Sequence, residues 1–278
     1  MKSLYLNAGG FNSIFNNLKE SLSGELTIEN NEYNLVVNSK LARGTIKGVS
    51  FEKELLSMEF DLFFNDDVSL SIEAHHAAPI YFAYCDKGVL QHSFGSNGER
   101  QVLKAQQSGV LNNSTAINSV LHFESHKKIQ FSLIGVPTNT SNELVDVDFT
   151  KQLKKMFSNT TGQYFYTGTQ HAKITEKLEE LKAIPQKGMV RSILKKTILK
   201  SILAQEIELH SYNYLKTFDP IVNLATRQIN EIKKLSQINI YETIHALGFS
   251  AKGYLPRVFK EKYHISIGHK GYNQKLAS

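Results

Sequence analysis

From residue 25 to residue 135 the chain alternates apolar and polar residues over one short run after another, and that period of two commits it to β-strands. Segments 57–64 and 68–73 alternate cleanly, with Asn65-Asp66-Asp67 as the turn between them. Runs 25–29, 33–37, 80–84, 88–94, 101–104, 119–124 and 128–135 read the same way. Turn signals such as Cys85-Asp86-Lys87-Gly88 and Gly95-Ser96-Asn97-Gly98 separate them. Many short strands at a spacing of about 8–12 residues predict a sandwich or jelly-roll barrel. A helix is expected before them, over 11–22.

Beyond this stretch the apolar period lengthens to that of a helix. A helix over 149–157 is followed by a loop rich in Asn, Thr and Gly, and 174–181 forms a short amphipathic helix ending near Pro185. Gly188 opens a long helix running to about Tyr214. Its wide apolar face carries Val190, Ile193, Leu194, Ile198, Leu199, Ile202, Leu203 and Ile207, and such a face must be buried. Packing on the chain's own β domain would bury it, and so would a two-fold partner. In the second case Leu194, Ile198 and Ile202 are the expected dimer contacts.

The total charge of +6 is unevenly shared. From His171 onward there are 18 Lys and Arg against 9 Asp and Glu, whereas the first 170 residues hold 14 against 17. A basic tail on a slightly acidic body is the electrostatic footprint of a nucleic-acid binder. Cys85 is the only cysteine, which leaves no intrachain disulfide and no cysteine-based zinc site. No apolar run has membrane-spanning length and the N-terminus lacks the apolar core of a secretory signal. A cytoplasmic protein with no membrane partner is the expectation.

The basic tail has internal order. Ile240, Ile244 and Leu247 give one helix an apolar face, Gly248 supplies the left-handed residue that ends it, and Ser250 can cap the next. Leu255, Val258 and Phe259 then face a core, leaving Lys252, Arg257, Lys260 and Lys262 outward. This is the outline of a helix-turn-helix, whose second helix enters the DNA major groove. Leu247-Gly248-Phe249-Ser250, then Tyr254-Leu255, Arg257-Val258-Phe259-Lys260, Tyr263 and Ser266, resembles the helix-turn-helix of AraC/XylS-type transcriptional regulators. The pattern departs at Thr243 and Ile244, at Gly253 and Pro256 on the two serine positions of the recognition helix, and at His264 in place of a glycine. Pro256 lies beyond the first turn and costs a helix interior about 3 kcal/mol. Family members carry two such units; here the chain stops at Ser278, and one unit is expected.

The resemblance implies a fold of the α+β class. A cupin-like or jelly-roll barrel that binds a small-molecule effector would occupy 1–140, a helical linker and dimerisation region 141–215, and an all-α helix-turn-helix region 216–278. The expected partners are double-stranded DNA, a second copy of the chain, and an effector. The expected DNA-binding residues are Ser250, Lys252, Tyr254, Arg257, Lys260, Lys262 and Lys270, with Lys252 and Arg257 toward the groove and the later lysines on phosphates. A truncated or degenerate relative that keeps ligand binding and dimerisation but not specific DNA binding is the second reading.

Catalysis is not expected. The sequence has no nucleophile elbow, Walker loop or dinucleotide fingerprint. Glu73, His75, His76, His122 and His126 are the only residues that suggest a cupin metal site. Adjacent His75 and His76 would point to opposite faces of a strand, so no metal or cofactor is expected. Glu179-Glu180 and Asp66-Asp67 are adjacent acids on a helix surface and in a turn, not a converging dyad. An effector cavity lined by aromatics such as Phe82 and Tyr84 is expected instead.

Overall fold

In the computed structural model, two β-sheets face one another across an apolar core. The structure describes residues 2–7, 9–51, 54–74, 78–138 and 153–217. The helix-turn-helix reading, with all seven expected DNA-binding residues, lies outside these residues, as do His75 and His76. The chain divides between Gln205 and Glu206 into two units, and the first, Met1–Gln205, holds both sheets.

The smaller sheet contains β1 (Lys2–Leu6), β6 (Val68–Ile72), β11 (Ser119–Phe123), β8 (Val89–Phe94) and β9 (Gln101–Lys104), in that spatial order. The larger runs β13 (Gln163–Thr169), β10 (Gln107–Asn113), β7 (Ile80–Lys87), β12 (Lys128–Val136), β5 (Leu55–Phe64), β4 (Ala42–Phe51), β3 (Glu32–Asn38) and β2 (Gly24–Glu29). Pairing is antiparallel among described strands except for β1 on β6.

Period-two alternation decides what each face does. On β5, Met58, Phe60, Leu62 and Phe64 enter the core, joined by Ile129, Phe131 and Leu133 of β12. Phe60 and Phe131 stack at 4.3 Å, and Phe64 stacks on Phe123 of the smaller sheet at 4.8 Å. Offset ring pairs of this kind add about 0.5–1.5 kcal/mol beyond their buried area. Helix α1 (Phe11–Leu22) touches β1, β2 and β3, an edge of each sheet, and buries Phe15, Leu18 and Leu22. Phe11, Phe15 and Tyr33 form a three-ring cluster with centroids 4.9–5.1 Å apart. Gly48 makes this approach possible, because a Cβ there would lie 2.5 Å from the Phe15 ring.

Helix α1 occupies the span expected of it, and the expected strands are present with small shifts at their ends. Strands β1, β4, β10 and β13 are additions; β13 falls in the stretch read as a loop rich in Asn, Thr and Gly. It pairs with β10 along its whole length, and Phe165 of β13 turns inward. Helices α2 (Ala172–Ala183) and α3 (Gly188–Thr217) follow. No helix of the described residues is long and apolar enough to cross a membrane.

Candidate functional site: a polar trough beside helix α3

The face of the larger sheet that turns away from the core is apolar at Ile80, Phe82, Tyr84 and Ile134 and polar along β3, β4 and β5. Asn34, Thr45, Lys47, Ser57, Glu59 and Ser132, from four adjacent strands, form the floor of a cavity of about 570 Å³. Their alternation partners Leu35, Ile46, Met58 and Leu133 are in the core, so the same sequence pattern builds both faces. None of the six side chains makes a hydrogen bond or ion pair to another described residue. Ser57 and Ser132 are nonetheless only 3% exposed. Their hydroxyl oxygens are not sealed off, so the floor is a surface that meets water or a ligand.

The walls differ sharply from the floor, because their charges are satisfied. Glu32, at the start of β3, accepts from Arg191 Nε at 3.1 Å and from Lys195 Nζ at 2.7 Å. These two bases are one helical turn apart on α3. A second acid, Glu54, receives Lys196 Nζ at 2.6 Å and Lys200 Nζ at 2.7 Å, again one turn apart. Hydrogen bonds and ion pairing with Lys196 and Lys200 hold the Glu54 carboxyl below the usual glutamate range. Arg191 also donates to the carbonyl oxygen of Ile184, tying α3 to the end of α2. Across the trough, Lys182 of α2 bonds Asp86 at 2.7 Å and Glu179 at 2.9 Å. Burial opposes the charge on Lys182, but the bonds to Asp86 and Glu179 outweigh it and its pKa is raised. Asp61 is taken by Lys128 at 3.0 Å and Gln130 at 2.8 Å.

Two lining charges remain, Lys47 and Glu59. They stand directly opposite one another on β4 and β5 and form no ion pair. The trough therefore presents one free cation and one free anion side by side among the described residues, on a floor of hydroxyl and amide groups.

Sequence reading placed the cavity elsewhere. Phe82 and Tyr84 are fully buried, and Phe82 packs edge-on against Phe157 at 5.4 Å, so they are packing residues and do not line the trough. The adjacent acids are engaged locally: Glu180 by Lys177, Asp66 by Lys2, and Asp67 by the backbone N–H of Ser125. His122 is buried on β11 with Nε2 2.8 Å from the Ser93 hydroxyl, while His126 sits in a turn at φ 57°. No three His, Cys, Asp or Glu side chains converge among the described residues. Of the expected dimer contacts, Ile198 and Ile202 are buried within the single chain and Leu194 is half-buried. Met189, Val190 and Ile193 on the same helix are exposed.

Comparison with known proteins gives a likeness at the level of whole structures. Unsaturated fatty acid bound ToxT from Vibrio cholerae is 10% identical, with a TM-score of 0.39, 78% of this chain and 82% of that chain being covered. The AraC-like transcriptional activator CuxR is also 10% identical, with a TM-score of 0.37 and coverage of 80% and 79%. A Cupin_2 domain of an XRE family transcriptional regulator from Enterobacter cloacae is 14% identical, with a TM-score of 0.26, over 32% of this chain and 92% of that one. No protein-family model matches the chain. No curated protein matches it either.

Proposed function

We propose that the chain is a ligand-responsive, DNA-binding transcriptional regulator of the cytoplasm, acting as a dimer and not as an enzyme. The observation that carries this reading is the position of α3. This helix is fastened by Glu32 and Glu54 beside a cavity with an unsatisfied polar floor, and it leads in sequence to the basic segment that resembles a helix-turn-helix. A ligand in the trough meets the wall that holds the helix, and differential affinity for docked and released helix is the physical requirement for a response.

Dimerisation fits the same logic, because a recognition unit gains affinity when a partner copy engages a second half-site. Ile198 and Ile202 are already buried, so a seam on α3 would run through Leu194 with the exposed Met189, Val190 and Ile193. In the recognition helix, Lys252 and Arg257 would face bases, Ser250 and Tyr254 would set its start, and Lys260, Lys262 and Lys270 would meet phosphates. Pro256 and Gly253 favour one other reading, a relative that keeps the trough and the dimer but has lost specific DNA recognition.

Titration against the chain's own upstream promoter DNA, at several salt concentrations and with random DNA as competitor, separates the two. Selective binding that survives physiological salt, weakened by Arg257→Ala, supports the regulator. Weak binding that is equal for all DNA and lost on adding salt supports the other.

A further inference from the structure

We propose that the trough binds a zwitterionic small molecule of the α-amino-acid class, its carboxylate on Lys47 and its ammonium on Glu59. The inference rests on reading the trough as the effector site, and it does not depend on DNA binding.

Size comes first. A cavity of about 570 Å³ falls within the range of small-molecule sites, roughly 300–1,000 Å³. Charge then narrows the class. The wall charges of Glu32, Lys182 and Asp61 are each committed to partners at 2.7–3.1 Å. That leaves Lys47 and Glu59, which the β4–β5 register sets face to face, with Cβ atoms about 5 Å apart as in any directly opposed pair. A ligand that satisfies both must carry an anion and a cation a few ångströms apart, in reversed order. An α-amino acid does so across one carbon.

Other classes leave something unpaired. A simple anion satisfies Lys47 but is repelled by Glu59, and a simple cation has the converse fault. A polyol can bond the floor but meets neither charge with an opposite one. An apolar ligand would seal Ser57 and Ser132 away from any partner, at the full desolvation cost. The zwitterion leaves Asn34, Thr45 and Ser132 to receive its side chain, so a polar side chain fits better than an aliphatic one.

Calorimetric titration of the full chain with each standard amino acid in turn tests this, beside sorbitol as polyol and succinate as dianion. One amino acid should bind at a single site. Its N-acetyl and carboxamide derivatives, each lacking one charge, should bind at least about tenfold more weakly. Glu59→Gln and Lys47→Met should each weaken it by a similar factor, with circular dichroism showing that both variants fold. Absence of binding by every amino acid overturns the inference. So does binding of sorbitol or succinate as tight as that of the best amino acid, or affinity that survives both substitutions. The promoter titration is a separate readout: amino-acid binding without DNA binding would retain this site and remove the regulator reading.

Discussion

His92 lies flat against Phe165, with ring centroids 5.4 Å apart and planes 4° from parallel. The contact joins β8 of the smaller sheet to β13 of the larger, and Phe94 closes on the same imidazole edge-on at 4.7 Å. His92 is 2% exposed, and neither ring nitrogen has a hydrogen-bond partner among the described residues. Burial, with a smaller contribution from His122, pushes its pKa down to about 3. The folded state therefore binds fewer protons here than the unfolded state at any pH between about 3 and the ordinary histidine value of about 6.5. Stability is fully present above pH about 6.5 and falls as pH drops toward about 3, by up to about 1.4 kcal/mol per pH unit. Urea melts from pH 7 to pH 4 should show this slope, and His92→Phe should flatten it; an unchanged slope would place the acid sensitivity elsewhere.

The two glutamate clamps on α3 should not be equal. Lys195 is 13% exposed and shares Glu32 with Arg191, whereas Lys196 and Lys200 on Glu54 are 36% and 56% exposed. Solvent screens the second pair, so Glu54→Gln should cost less than about 1 kcal/mol. Glu32→Gln should cost about 1–2 kcal/mol, since it leaves two partly buried bases without their acid. Hydrogen exchange over 188–205 should accelerate more in Glu32→Gln than in Glu54→Gln. Equal effects would mean that apolar burial alone holds the helix.

Gly44 fixes the strand pair beneath the trough. Its φ is +135°, and a Cβ there would lie 2.0 Å from the Asp61 carbonyl oxygen. Gly44→Ala must move backbone as well as adopt a strained conformation, and a loss of about 3 kcal/mol or more is expected. For a chain of this size that lowers Tm by about 6–12 °C. A calorimetric scan reads it directly.

Cys85 should be inert in the folded protein. Its side chain is fully buried on β7 and burial raises the thiol pKa to about 11. A thiol reagent should label it at pH 8 only as fast as the domain unfolds, and labelling should become immediate in urea. Fast labelling of the native chain would contradict the packing of β7.

Residues that bury a side chain were legible in the sequence. Helix α1 could be placed to its ends because Phe11, Phe15, Leu18 and Leu22 recur at helical spacing, and β5 because Met58, Phe60, Leu62 and Phe64 alternate. Strand β4 was hidden because Gly44 and Gly48 occupy core-facing positions, and the apolar mass over Gly48 is supplied by Phe15 from another element. Strand β10 was hidden by Ser108, Asn112 and Asn113, which are buried through contacts that local pattern does not encode. The trough was invisible for a related reason. Ser57, Glu59 and Asp61 have the pattern of an ordinary solvated face, and only the Glu32 and Glu54 clamps, made across more than 140 positions, put a roof beside it. Phe82 and Tyr84 looked like cavity walls because aromatic content was the only available cue.

Helix α3 is 30 residues of unbroken hydrogen-bonded backbone, about 45 Å from end to end. Its first half is gripped by Glu32 and Glu54. Ile198, Leu199, Ile202 and Leu203 are buried at and beyond these clamps, so apolar packing continues the hold that the ion pairs begin. Loss of the Glu32 clamp would therefore loosen the opening turns of the helix first, while the buried isoleucines and leucines keep the following turns in place.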